Sequence, residues 1–245
     1  MLLKTDGLVI REKGTGESDR FVTLLTRDYG VLYAFARGAR SLKSEKQSGT
    51  QLFAYADFTV SRGKDAYIVT EARVREVFFK LREDVEHLAL SQYFCELTGL
   101  LAPQETPAEE YLSVLLNALY LLSSGKRPQP FLKAVLELRL MSISGYMPDL
   151  VGCAKCGTYE SAEMFFDRRE GCLYCPDCAE HGEPLTPGVL AAMRHICFAE
   201  PKKLFSFTLS DAGLQKLAVL TEGYMHTHLN HYFKTLQFYN QIKTQ

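Results

Sequence analysis

Five of the seven cysteines fall between Gly145 and Thr186, and four of them form two matched pairs. Cys153-Ala154-Lys155-Cys156-Gly157 is followed, after eighteen residues, by Cys175-Pro176-Asp177-Cys178-Ala179. Two residues between thiolates let the backbone curl into a knuckle that presents both sulfurs to one ion, and two knuckles at this spacing describe a zinc ribbon. Gly157 and Ala179 are small enough for their amides to approach the sulfurs. Cys172 offers a competing register, since Cys172-Leu173-Tyr174-Cys175 is also a C-x2-C pair. The reading adopted is Cys153, Cys156, Cys175 and Cys178, because Pro176 preshapes the second knuckle. Four thiolates fill a tetrahedral shell and leave no position for an activated water, so the expected Zn2+ is structural. A pair of redox C-x2-C motifs would need a βαβ context that the surrounding residues lack. With no H-x-E partner to the cysteines, a zinc deaminase is excluded.

The second chemical feature is a run of cations. Arg37, Arg40, Lys43 and Lys46 recur every three residues in a stretch from Arg37 to Gly49 that has Gly and Ser at both ends and holds one acid, Glu45. This reads as a flexible basic loop. The formal charge of −1 advertises no global affinity for polyanions, but residues 1–80 carry 14 Lys+Arg against 10 Asp+Glu, and the remainder 14 against 19. Other candidates reduce to structure. His226, His228 and His231 do not share the three- or four-residue spacing that would bring all of them together on a helix, and read as surface or interface residues. Gly14-Thr15-Gly16 lacks the Gly-Lys-Ser/Thr of a phosphate cradle and reads as a turn. Cys95 and Cys197 sit at apolar helical positions and read as core thiols. No catalytic constellation emerges.

The elements that must hold these features change texture along the chain. From Leu8 to about Phe79, five β-rich runs are separated by turns. The last two, Phe53 to Ser61 and Ala66 to Phe79, flank a hairpin tip, Arg62-Gly63-Lys64-Asp65, where glycine can supply positive φ. Five strands in about 80 residues suggest a small barrel, of which the OB-fold is the common nucleic-acid-binding form. After Lys80 the spacing is helical. Thr106, Pro107 and Glu109 read as a capping box before Tyr111. A helix from about Phe131 ends at Gly145. Thr186-Pro187 and Ser210-Asp211 start two more, the last expected to run unbroken to about Gln241. An apolar fraction of 47% and a charged fraction of 23% fit a folded globular chain. The first residues do not read as a signal peptide, and the most apolar stretch, Tyr111 to Leu122, is shorter than the roughly 18 residues that span a bilayer. The expected compartment is the cytoplasm, where thiols stay reduced.

Several segments together resemble the RecO family of bacterial recombinational repair mediators. Glu17-Ser18-Asp19-Arg20, Leu24-Leu25-Thr26-Arg27 and Tyr29-Gly30 are similar to that family's second strand and turn, and Ala36-Arg37-Gly38-Ala39-Arg40-Ser41 to its basic loop. Gly145-Tyr146-Met147-Pro148-Asp149-Leu150 resembles its approach to the zinc module, and Thr186-Pro187 with Leu190, Arg194 and His195 its return helix. Ala179 stands where a glycine is usual, and Cys172 is additional.

The resemblance implies a multidomain α+β protein: an N-terminal OB-fold β-barrel over 1–80, an α-helical domain over 81–150 and 182–245, and a zinc ribbon inserted at 151–181. It implies a non-enzymatic, cytoplasmic, nucleoid-associated protein that binds single- and double-stranded DNA and anneals complementary strands. The implied partners are RecR, single-stranded-DNA-binding protein and, indirectly, RecA, with no membrane. Arg37, Arg40, Lys43 and Lys46, with Arg62 and Lys64 at the hairpin tip, are the expected phosphate contacts. Trp is absent, so base stacking falls to Tyr or Phe; Tyr33, Phe35, Tyr55 and Tyr67 lie on strands but read as core. A zinc-ribbon transcription or translation accessory factor is the alternative, which promoter or ribosome specificity would reveal. A metal-dependent hydrolase would need an open metal position, and four sulfur ligands would dismiss it.

Overall fold

The computed structural model describes residues 2–243. In chain order it has β1 (Leu2–Thr15), β2 (Asp19–Thr26), β3 (Gly30–Ala36), β4 (Ala54–Arg62), β5 (Tyr67–Val77), α1 (Val85–Leu101), α2 (Glu109–Ser123) and α3 (Gln129–Met141). Then come β6 (Asp149–Cys153), β7 (Met164–Asp167), β8 (Cys172–Tyr174), β9 (Glu183–Leu185), α4 (Pro187–Phe198), α5 (Asp211–His228) and α6 (Lys234–Lys243). The chain divides into two compact units: residues up to Gly125 together with those from Phe233 on, and Lys126–Tyr232. It is thus a mixed α+β protein with an N-terminal sheet and a helical C-terminal part.

The first unit is organised by a five-stranded sheet in the order β1-β2-β3-β5-β4, with β4 pairing back onto β1. Alternation explains the strands. On β2, Val22 and Leu24 point into the core while Phe21, Thr23 and Leu25 face outward; on β3, Leu32, Ala34 and Ala36 point in while Val31, Tyr33 and Phe35 face out. Small residues at Ala34, Ala36, Ala54 and Ala56 suit the tight interior of so few strands. A bulge between Val9 and Arg11 bends β1, which pairs with both β2 and β4. At Gly7 any Cβ would stand 2.7 Å from the Leu25 carbonyl oxygen, so only glycine permits the β1–β2 approach.

Helices cover part of the outward face, and the division of units therefore differs from the change of texture at residue 80. Helix α1 starts at Asp84, whose carboxylate accepts from the His87 amide at 2.8 Å. It packs against α6 and reaches β1, where Gly99 brings its backbone against Ile10. Backbone bonds from Val31 to Pro103 and from Ala108 to Arg27 tie the following loop to the sheet. These contacts defeat the expected capping box. Helix α2 begins at Glu109 with Ala108 as its N-cap, and the Glu109 carboxylate pairs with Arg27 rather than reaching back to Thr106. The hairpin tip also differs, since Gly63 is not in the positive-φ region. Its Cβ would instead strike the Ala66 carbonyl oxygen at 2.3 Å.

In the second unit α3 is buried on every side from Phe131 to Met141. Its charges are satisfied internally. The Lys133 ammonium lies 2.8 Å from Glu137 and 2.7 Å from Glu222, and the Thr221 hydroxyl donates to Glu137 at 2.7 Å. Burial pulls the Lys133 ammonium down, but the two carboxylates outweigh it and hold it above its ordinary value. Arg139 donates to the Ile196 and Cys197 carbonyls, covering the C-terminal end of α4. Gly145, at φ 90°, ends the helical stretch. The interval from Gly145 to Thr186, aperiodic in sequence, holds a four-stranded sheet in the order β6-β8-β7-β9. Strands of three to five residues are too short to display a period.

The expected single helix to Gln241 is two. Helix α5 stops where Leu229 adopts an extended conformation at φ −102°, ψ 112°, and α6 begins at Lys234 inside the first unit. The break is where the chain leaves one core for the other.

Candidate nucleic-acid interface and metal centre

The basic loop is not the free flap its composition suggests. Successive turns run from Ala36 to Ala54, and Ala39 and Thr50 are wholly buried. Asp19 accepts from the Gly38 amide at 2.7 Å, and Arg20 donates to the Gln47 carbonyl at 2.6 Å and the Thr50 hydroxyl at 3.1 Å. Gly49 lies against Ala72 of β5. A pinned backbone presents its cations to solvent. Arg37 and Lys43 are exposed and, among the described residues, have no side-chain hydrogen-bond partner, while Arg40 is exposed and donates to the Gly16 carbonyl at 3.2 Å. Lys46 is half-buried, its ammonium 3.5 Å from the Val69 carbonyl.

Arg62 and Lys64 are exposed, but they do not join this group. β3 and β5 run parallel with Ala34 opposite Tyr67. The hairpin tip, whose Arg62 pairs with Tyr67, therefore lies level with the middle of β3, whereas Arg37 follows its end. Arg62 stands level with Ala34, three residues short of Arg37, so at about 3.3 Å per residue it is offset by about 10 Å along the strand, with β5 lying between.

Between them lies a feature the alternation argument misjudged. Tyr33 and Phe35 are not core residues: they are 42% and 36% exposed on the outward face of β3. Phe21 of β2 joins them, 4.8 Å edge-on to Phe35 and 6.5 Å from Tyr33 in stacked orientation. Sequence alternation identifies one face of the strand, but not whether helices cover it. Tyr55 and Tyr67 are otherwise committed, their hydroxyls donating to Asp6 at 2.6 Å and Glu105 at 2.9 Å. The Asp6 cluster also consumes cations. Its carboxylate receives Arg27 at 2.8 Å, and Arg75 reaches Asp57 at 2.6 Å, so neither arginine is free for a ligand. Burial pushes the Asp6 carboxyl up, yet hydrogen bonds from Arg27 and Tyr55 bring it below its ordinary 3.8.

In the second unit the sulfurs of Cys153, Cys156, Cys175 and Cys178 all lie within 4.8 Å of one another. β6 delivers Cys153 and β8 leads into Cys175, and the Ala154 amide bonds the Leu173 carbonyl across the two knuckles. Each knuckle closes locally. Gly157 at φ 75° donates to the Cys153 carbonyl, and the amides of Cys178 and Ala179 donate to that of Cys175. Cys172 stands apart, buried on β8 with its thiol 3.8 Å from a Glu170 oxygen.

The donor set fits zinc. Thiolates at about 2.3 Å from one tetrahedral ion stand about 3.8 Å apart, and Cys156 and Cys175 are 3.6 Å apart. The sulfurs also compete for protons. Burial raises the Cys153 thiol, but backbone amides of Cys175, Cys156 and Lys155 bring it down to about 6, whereas the hydrogen bond from Cys175 helps push Cys178 up to about 12. Four charged sulfurs this close need a divalent cation. The histidines form no such group: His228 bonds the Arg168 carbonyl at 2.9 Å, and His226 is 3.9 Å from Glu222. Among the described residues, no helix is long and apolar enough to cross a membrane.

Two family models match the chain, one over the ring of strands and one over the helices and the short strands that bear the four cysteines. Recombination protein O N terminal matches residues 1–78, and Recombination protein O C terminal matches residues 82–237. The chain is 34% identical over 245 residues to the DNA repair protein RecO of Acetivibrio thermocellus, covering 99% of this chain and 96% of that one. It is 30% identical over 243 residues to that of Caldicellulosiruptor bescii, covering 99% of both. The chain belongs to the RecO family of DNA repair and recombination proteins.

Proposed function

We propose that this chain is a non-enzymatic recombination mediator that binds single- and double-stranded DNA through the first unit, read as an OB-fold barrel, and anneals complementary strands. The observation that carries this is the outward face of β2 and β3, where exposed Tyr33 and Phe35, backed by half-buried Phe21, lie between the cations of the basic loop and those of the hairpin tip. OB-folds bind nucleic acid on this face, assisted by the first and last hairpin loops. Arg40 sits over the first of these loops, at Gly14 and Gly16, and Arg62 and Lys64 occupy the last. Aromatics stack on bases of any sequence while cations track phosphates, so two strands can be held with their repulsion reduced and their base edges unread.

Cys153, Cys156, Cys175 and Cys178 would hold Zn2+, which supplies a cross-link that orders the short strands of a zinc ribbon. The family reading extends to RecR, single-stranded-DNA-binding protein and RecA loading in the bacterial cytoplasm, at the nucleoid and away from membrane. Strand annealing and gel shifts measured against salt test the proposal. Neutralising about five phosphates gives a log–log slope near −3.5 for single strands. A slope near zero would overturn it.

A further inference from the structure

The outward face of β1, β2 and β3 is covered by helices over one half and open over the other, and a pocket of about 500 Å³ lies at the seam. Leu8 and Leu25, on the covered half, have no exposure at all, whereas Tyr33 and Phe35 stand open. The volume falls within the range of about 300–1,000 Å³ typical of sites for small organic groups. We propose that this pocket takes one unstacked nucleobase from a bound single strand, with Arg11 and Lys234 at its rim receiving the adjoining phosphates. The proposal rests on the reading of the first unit as a single-strand binder and assigns that reading a specific base site.

The lining has the mixture a base requires. Tyr33 supplies an aromatic wall continuous with the Phe21 and Phe35 ladder, so a strand lying on the ladder brings its next base to the pocket. Ile10 and Leu52 add apolar surface. Gln92 of α1 is half-buried, and its carboxamide makes no hydrogen bond within the described residues. One donor group and one acceptor on a single planar amide match the edge of a base.

The rim carries two cations, Arg11 and Lys234, and the lining two carboxylates, Glu12 and Glu96, of which only Glu12 has an arginine beside it. Arg11 and Lys234 are exposed and, among the described residues, have no hydrogen-bond or ion-pair partner. The two acids in the lining are already engaged: Glu12 accepts from the Leu52 amide at 3.0 Å and lies 3.7 Å from Arg20, and Glu96 accepts from the Thr235 hydroxyl.

The test uses the full chain with dT oligonucleotides that carry one 5-iododeoxyuridine, irradiated after binding, with the cross-linked peptides mapped. The expected cross-link is at Tyr33. Gln92→Trp, which fills the pocket from a half-exposed helical position, should remove that cross-link and weaken binding about tenfold, the size of one stacked base. Gln92→Ala, which removes only the amide and suits a helix, should weaken binding severalfold. Arg11→Ala with Lys234→Ala should make the salt slope shallower by about 1.4. Unchanged affinity and an unchanged Tyr33 cross-link in the Gln92 variants, with Arg37 and Arg40 still required, would overturn the pocket and leave the DNA-binding reading intact. Failure of the unaltered chain to bind single strands at low salt would overturn both.

Discussion

In the second unit Lys133 lies between Glu137 and Glu222, Lys155 pairs with Glu180 at 2.6 Å, and Arg168 and Lys216 converge on Glu183 at 2.6 and 3.0 Å. On the outer surface of the first unit, Arg37, Lys43 and Lys64 are exposed and, among the described residues, make no side-chain hydrogen bond or ion pair. The units also gain order differently. Continuous strand pairing around an apolar core organises the first, whereas the β6–β9 strands are a few residues long and stand beside four clustered thiols. The comparison separates cations committed to carboxylates from cations left open to solvent, a distinction that the net charge of −1 hides.

The contrast can be broken in five places. Removing the metal with a strong chelator, or changing Cys153→Ser with Cys156→Ser, should cost the ribbon on the order of 10 kcal/mol of apparent order. Hydrogen exchange should then show residues 149–185 unprotected while single-strand affinity changes less than about twofold. A parallel collapse of DNA binding would mean that the two units are not independent. Lys133→Ala strands the buried Glu137 carboxylate and should cost about 3–5 kcal/mol in urea unfolding, again with DNA binding retained.

The opposite pattern is expected on the first unit. Arg37→Glu with Arg40→Glu should abolish annealing and make the single-strand salt slope shallower by about 1.4 units, without altering the urea midpoint. Phe35→Ala should weaken single-strand binding by about 1–3 kcal/mol at all salt concentrations and leave the slope unchanged, since a stacked ring releases no counterions. The smallest effect concerns Asp6. Its folded carboxyl titrates below 3.8, so its contribution to stability is present above that value and is lost as pH falls through the lower, folded one. Asp6→Asn should flatten the acid limb of the stability profile below about pH 4, which thermal melts against pH would reveal.

Much of this was legible before any coordinates. The two knuckles are recognisable because each pair of thiols is three residues apart and closes through its own backbone. The helix starts at Thr186 and Ser210 are equally local, and both side chains accept the expected amide. The capping box at Thr106 looked as strong, but Glu109 found Arg27, which is 82 residues away. Cys172 and Cys175 could not be separated by spacing alone with the same force. β8 decides between them by placing one beside Glu170 and the other among the sulfurs.

Short-range features, then, were determined by the chain itself: strand alternation, caps, knuckles and the cation run follow from neighbours within a few residues. Tertiary structure alone decided which outward face stayed bare, which arginines were spent on Asp6 and Asp57, and that β5 lies between the hairpin's Arg62 and β3. The physical reason is that exposure and charge pairing are set by groups distant in sequence. Helices α1 and α2 pack on one half of the outward face, while Tyr33 and Phe35 on the same face stay open.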